Sequence, residues 1–200
     1  MRTKLFMLCC FLAIHLAQSQ EVYLVAGTNF TSFDYKNSND QSNANIKSGS
    51  GSNYELGYKL DFKKNFSYLI GVTINQFNAY GANGIDTYTW KTNYLGIQNA
   101  LAYTILQSKK LALKINAGLN ICTIANGEQL INASYYNLAN ESEFTGIFLQ
   151  PMVGLQLQYP ITERLGVSLA LNTSRTFTKS KAENLSFTNN QIQFGLHFPF

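Results

Sequence analysis

The sequence predicts an all-β protein, an eight-stranded antiparallel up-and-down β-barrel, on three observations. Apolar residues recur with period two from residue 22 to the end of the 200-residue chain, the signature of strands that are apolar on one face. Eight such segments follow one another, and none sustains a 3.6-residue period. Long polar connections alternate with short turns, so an up-and-down meander gathers four long loops at one end and three turns with both termini at the other.

The first nineteen residues stand apart from this pattern. Arg2 and Lys4 precede an apolar run from Leu5 to Ala17, and Ala17-Gln18-Ser19 supplies small residues at a cleavage site. The run is too short to span a bilayer, and the arrangement is that of a secretory signal peptide. Residues 1–19 are therefore expected to be removed, leaving residues 20–200 as a single domain. The formal charge of +4 falls to +2 without Arg2 and Lys4, and Cys122 and His197 become the only Cys and His of the mature chain. No internal disulfide is then available.

The first segment carries Val22, Leu24, Ala26, Thr28 and Phe30 on its apolar face. In the second, Tyr54, Leu56, Tyr58, Leu60 and Phe62 alternate with Asn53, Glu55, Gly57, Lys59 and Asp61. Tyr68, Ile70, Val72 and Ile74 mark the third; Leu95, Ile97, Leu101 and Tyr103 mark the fourth. The fifth sets Leu111, Leu113, Ile115, Ala117, Leu119 and Ile121 against Lys114, Asn116, Asn120 and Cys122. Ile147, Leu149, Val153, Leu155 and Leu157 form the sixth, with Pro151 on the same face. Proline removes a ladder hydrogen bond, so a bulge is expected there. Leu165, Val167, Leu169 and Leu171 form the seventh, and Ile192, Phe194, Leu196, Phe198 and Phe200 the eighth. Short turns are expected near residues 63–65, 107–110 and 160–163, and long loops over 34–52, 78–87, 125–143 and 178–189.

Alternation alone leaves open whether the apolar face lines a core, as in a secreted lipocalin-like barrel, or meets lipid. Charged residues are only 13% of the chain, about half the usual share. The polar faces hold mainly Gly, Asn, Gln, Ser and Thr, with Glu55, Lys59, Asp61, Lys114 and Arg164 as their charges. A water-facing exterior carries many more. Four to six apolar positions per strand match the reach of a tilted transmembrane strand of about 9–11 residues. Aromatics also gather near strand ends. Phe62, Phe66, Tyr68, Tyr103, Tyr159, Phe198 and Phe200 lie at the turn end, and Phe30, Phe77, Tyr88, Phe144, Phe177 and Phe187 toward the loop end. They read as two interfacial girdles. The expectation is a transmembrane barrel with lipid outside, and with Glu55, Lys59, Asp61 and Lys114 as a charge network inside it.

These features resemble the small outer-membrane β-barrel proteins common in the Bacteroidota, akin in architecture to OmpA/OmpX-type barrels. The resemblance rests on the opening Val25-Ala26-Gly27-Thr28-Asn29-Phe30-Thr31, on Tyr94-Leu95-Gly96-Ile97, and on the closing Gln191–Phe200 strand. Gly96 and Gln98 stand where that family often has an acidic residue and a proline. The resemblance implies residence in the outer membrane in contact with its lipid. It also implies recognition of Phe194, Leu196, Phe198 and Phe200 by the barrel-assembly machinery. It implies no single activity.

Chemistry finds little support in the chain. His197 lies three residues from the C terminus at the turn end; no nucleophile–base pair can be assembled around it, and it reads as an ordinary lumen or rim histidine. Cys122 reads as a packed thiol, because no second Cys or His accompanies it. Neither a GxGxxG nor a Walker-type loop occurs, so no cofactor, metal or catalytic residue is expected. The mild charge gives no reason to expect nucleic acid. The favoured reading is a non-enzymatic outer-membrane protein, structural or adhesive, whose loops, rich in Asn, Ser and Tyr and including Tyr135-Tyr136, meet extracellular glycan or protein. A narrow transport or envelope-assembly component is the alternative. A lipid-modifying enzyme and a secreted ligand binder stand behind it.

Overall fold

A computed structural model of the protein describes residues 20–36, 46–63, 65–83, 86–132, 134–141, 144–176 and 184–200. The expected signal peptide, residues 1–19, lies outside them. Among the described residues nine strands follow in order: β1 (Gln20–Lys36), β2 (Ile46–Lys63), β3 (Phe66–Asn83), β4 (Asp86–Gln107), β5 (Ala112–Ile131), β6 (Ser134–Asn137), β7 (Phe148–Pro160), β8 (Gly166–Thr176) and β9 (Asn184–Pro199). Each of β1 to β5 pairs antiparallel with the next, β5 continues to β7, and β9 returns to β1. The ring closes with eight staves, and β6 is a short extra strand on the upper part of β5. Closure matters physically, because hydrocarbon offers no partner to an unpaired strand edge.

Parity decides which way each side chain faces. Leu24, Leu56, Val72, Ile97, Ile121, Leu155, Leu171 and Phe194 are all exposed on the outside, while Asn53, Thr73, Asn120, Gln150, Gln193 and their neighbours are buried inside. This inverts a water-soluble protein: apolar surface outward and amides inward, the distribution that lipid requires.

Four sequence expectations are corrected here. The loop expected over residues 78–87 is instead ladder, since β3 and β4 stay paired out to Asn83 and Asp86. The other three long loops are also shortened, by β1 and β2, by β5 and β6, and by β9. Polar composition does not end a strand when both edges of the ladder remain paired above the membrane. Pro151 lies in unbroken register with Leu119, without a bulge, one residue beyond the last β7–β8 pair at Met152 and Ser174. Proline is tolerated at such a ladder edge. Arg164 sits exposed on the turn before β8 and not on the polar face of a strand. The loop-end girdle is the fourth correction. Phe77 and Phe187 share parity with Thr73, Asn75, Asn189 and Gln191, and with Phe144 they are buried inside the barrel. Phe30 does face outward, Tyr88 is partly buried against the inner cluster, and Phe177 lies outside the described residues.

Candidate functional site

The lumen is filled in layers. At the turn end it opens as a vestibule of about 700 Å³ lined by Lys59, Asp61, Lys114 and Gln158 among others. Glu21, the second residue of β1, forms the hub of its floor. Its carboxylate accepts from Lys59 Nζ at 2.6 Å and from Gln158 Nε2 at 3.4 Å, and it pairs with His197 Nδ1. Lys59 also approaches Asp61 at 3.6 Å, and Lys114 donates to Gln158 Oε1 at 2.5 Å. Gln158 therefore links Lys114 to the carboxylate that holds Lys59. Two ammonium groups and two carboxylates share this floor, which a low-dielectric interior demands.

Three of the four charges expected in the lumen, Lys59, Asp61 and Lys114, meet at this floor. Glu55 does not join them. One layer further in, it accepts from Tyr23 Oη at 2.6 Å and from Gln98 Nε2 at 2.9 and 3.0 Å. Room for the Tyr23 ring comes from Gly57, directly across from it, where a Cβ would fall 2.2 Å from that ring. Sequence reading missed Glu21 and His197 as members. Glu21 sits at the very start of the domain, and its opposition to His197 appears only once β1 and β9 close the ring.

That closure also assembles a nucleophile and a base, against the sequence expectation for His197. With Glu21 on Nδ1, the other ring nitrogen, Nε2, meets Ser168 Oγ at 2.7 Å. A carboxylate only accepts, so an Nδ1 proton points at Glu21, while Nε2 faces the serine hydroxyl. Gly195 leaves space for the pair, since a Cβ there would stand 2.5 Å from Ser168 Oγ. The order carboxylate, imidazole, hydroxyl is that of a hydrolytic triad. Access to the serine is narrow. Ser168 is 4% exposed, and the cavity beside it holds about 30 Å³, room for roughly one water molecule.

Above this lies an amide layer. Asn53 donates to Asn75 at 2.6 Å, Gln193 to Asn53 at 2.6 Å and Asn172 to Gln193 at 2.5 Å. On the far wall Asn120 donates to Gln150 at 3.1 Å. At the loop end an aromatic plug closes the barrel: Phe33, Phe77, Trp90, Tyr94, Phe144, Phe148 and Phe187 pack together with Leu138 and Cys122. The ring centroids of Phe77 and Phe187 are 4.7 Å apart, and those of Tyr94 and Phe148 5.2 Å apart edge-on. Cys122 is buried within this plug. No cluster of metal-ligating residues occurs among the described residues.

Phe194, Leu196 and Phe198 face outward along β9, and Phe200 N–H closes onto Gln20 O at 3.0 Å beside the start of β1. The exposed surface of the loop end is the remaining candidate site. There β5 rises past the end of β7 and turns back at Asn132, whose backbone is left-handed (φ 46°), to form the hairpin with β6. All four residues of β6 are exposed.

Solved structures share this architecture at low sequence identity. Neisserial surface protein A aligns with a TM-score of 0.53 at 9% identity, over 90% of this chain and 97% of that one. The outer membrane protease OmpT from Escherichia coli aligns at 0.50 and 8% identity, over 92% and 97%. OprG from Pseudomonas aeruginosa aligns at 0.48 and 11%, over 90% and 96%. Identities this low speak for the fold alone. No curated protein matches the sequence. The model of the outer membrane protein beta-barrel domain does match, over residues 4–200. With that match and a closed ring of eight antiparallel staves, the chain belongs to the outer membrane β-barrel family.

Proposed function

We propose that this outer-membrane barrel is non-enzymatic and serves as an anchor for a contact surface at its loop end, which meets extracellular glycan or protein. The observation that carries this reading is the filling of the lumen. A charged floor, an amide layer and an aromatic plug follow one another, so neither a solute path nor a reachable nucleophile supports the transport and enzyme alternatives. The accessible polar surface is then the loop end, as befits loops carried on a rigid scaffold. The neighbours in fold include both a surface protein and a protease, so fold by itself does not choose between them.

In the same reading the chain is exported across the inner membrane of a Gram-negative cell by its signal peptide. Phe194, Leu196, Phe198 and Phe200 are presented to the barrel-assembly machinery, and the outer apolar belt sits in outer-membrane lipid. The test uses the protein in lipid nanodiscs on surfaces coated with mucin and with deglycosylated mucin. Retention on either, lost when 134–137 and the neighbouring loop-end segments are exchanged for Gly-Ser, is the expected result. A steady conductance in planar bilayers would favour transport. Phospholipid hydrolysis abolished by Ser168→Ala would favour an enzyme.

A further inference from the structure

The β5–β6 hairpin places a hollow of about 380 Å³ at the loop end, bordered by Asn126, Glu128, Tyr135 and Asn137 among others. We propose that this hollow binds a glycan through one uncharged hexose ring, with Tyr135 as the stacking wall and Asn126, Glu128 and Asn137 as the hydrogen-bonding rim. The inference rests on the surface-contact reading above and gives that surface a place and a ligand class.

Register puts the four side chains together. Tyr135 pairs with Leu130 and Asn137 with Glu128. Residues two apart on a strand share a face, so Tyr135 and Asn137 lie on the face that also carries Glu128 and Asn126. The same loop has apolar groups that it does bury. Leu138 is 2% exposed and Phe144 5%, both set into the aromatic plug, whereas Tyr135 is 74% exposed. These anchors, with the β5–β6 ladder, hold the hairpin fixed. Tyr135 is thus presented to solvent by a rigid segment, which lowers the ordering cost of binding.

The spare hydrogen-bonding capacity fits vicinal hydroxyls. Asn126 Oδ1 accepts from Asn93 Nδ2 at 2.5 Å, which leaves its own Nδ2 to donate. Asn137 Oδ1 accepts the Ala139 N–H at 2.9 Å and likewise keeps Nδ2. Glu128 is exposed, and its carboxylate has no hydrogen-bond partner among the described residues. Two amide donors and one carboxylate acceptor can bracket a sugar's hydroxyls, which both donate and accept, while the electron-rich face of the tyrosine takes the ring's C–H edge. No Lys, Arg or His lines the hollow, and Lys91, across the β4–β5 ladder from Glu128, is offset by that carboxylate, so a sulfated or carboxylated sugar finds no net positive charge there.

The test is saturation-transfer NMR on the full chain in nanodiscs, with lactose, mannobiose and N,N′-diacetylchitobiose as neutral probes and a sulfated heparin disaccharide as the anionic one. We expect transfer to at least one neutral disaccharide and less to the sulfated one. Tyr135→Ala should weaken that binding about tenfold or more, as loss of an aromatic anchor does. Tyr80→Ala, on β3 and outside the hollow, should leave it unchanged. Heat-modifiable gel mobility verifies that each variant is folded. Absence of transfer to every neutral disaccharide, preference for the sulfated one, or binding that survives Tyr135→Ala in a folded protein would overturn the proposal. If the neutral probes fail while deglycosylated mucin is still held, the glycan site falls and the contact surface stands. Failure on both mucin surfaces removes both.

Discussion

Glu21→Gln tests the logic of the lumen floor most directly. The substitution keeps the size of the side chain and removes the one charge that Lys59, His197 and Gln158 share. Lys59 is 7% exposed and would keep as its charged partner Asp61 at 3.6 Å. Removing one partner of a fully buried ion pair costs about 3–5 kcal/mol. Lys59 borders a vestibule of about 700 Å³ open at the turn end, and water there relieves part of the stranded charge, so we expect about 2–3 kcal/mol. Replacing both members, Glu21→Gln with Lys59→Met, removes the stranded charge and should recover more than half of that loss. The assay is reversible urea unfolding in lipid vesicles, followed by tryptophan fluorescence and checked by heat-modifiable gel mobility. A loss below about 1 kcal/mol for the single variant, which is the size of an exposed pair, would refute the hub. A double variant no more stable than the single one would refute it as well.

Other perturbations probe the remaining layers. Ile97→Lys, at the middle of the lipid-facing belt of β4, should cost about 2–4 kcal/mol or block insertion. Gln98→Lys, one residue on, places its ammonium where Gln98 now reaches Glu55 at 2.9 Å and should be tolerated far better in the same unfolding assay; equal tolerance would undo the face assignment. Phe187→Ala empties the centre of the aromatic plug and should cost about 3–5 kcal/mol, and a change near zero would mean the plug does not pack as described. Ser168→Ala removes one hydrogen bond, to His197, and should cost about 1 kcal/mol, with no change in any lipid or ester hydrolysis by the protein.

Much of the architecture could be read from single segments. Period two, the scarcity of charge on the polar faces and the length of the apolar faces together specify eight staves, lipid outside and amides inside. Each of these is a local property that a strand carries alone. The plug shows where local reading went astray. Phe77 and Phe187 read as girdle residues by their place along the strand, yet their parity with Asn75 and Gln191 marks them as inward-facing. What misled was residue type, since phenylalanine suits an apolar plug as well as a lipid interface. The shortness of the loops is hidden in single segments for a related reason. Polar residues such as Asn78 and Thr87 are compatible with a ladder that continues into water once its neighbour is present.

Strand periodicity, the two faces and the end that carries the loops are all written along the chain, because side-chain direction in an extended segment is fixed by the backbone. Which charges meet is settled by closure of the ring. Glu21, Ser168 and His197 lie on β1, β8 and β9, and their separation of up to 176 residues collapses to hydrogen-bond distance through closure of the ring. The register of β5 with β6 likewise set Tyr135 and Asn137 beside Glu128. Such encounters depend on pairing between distant strands, and that pairing is settled by the free energy of the whole closed barrel and not by any one segment of it.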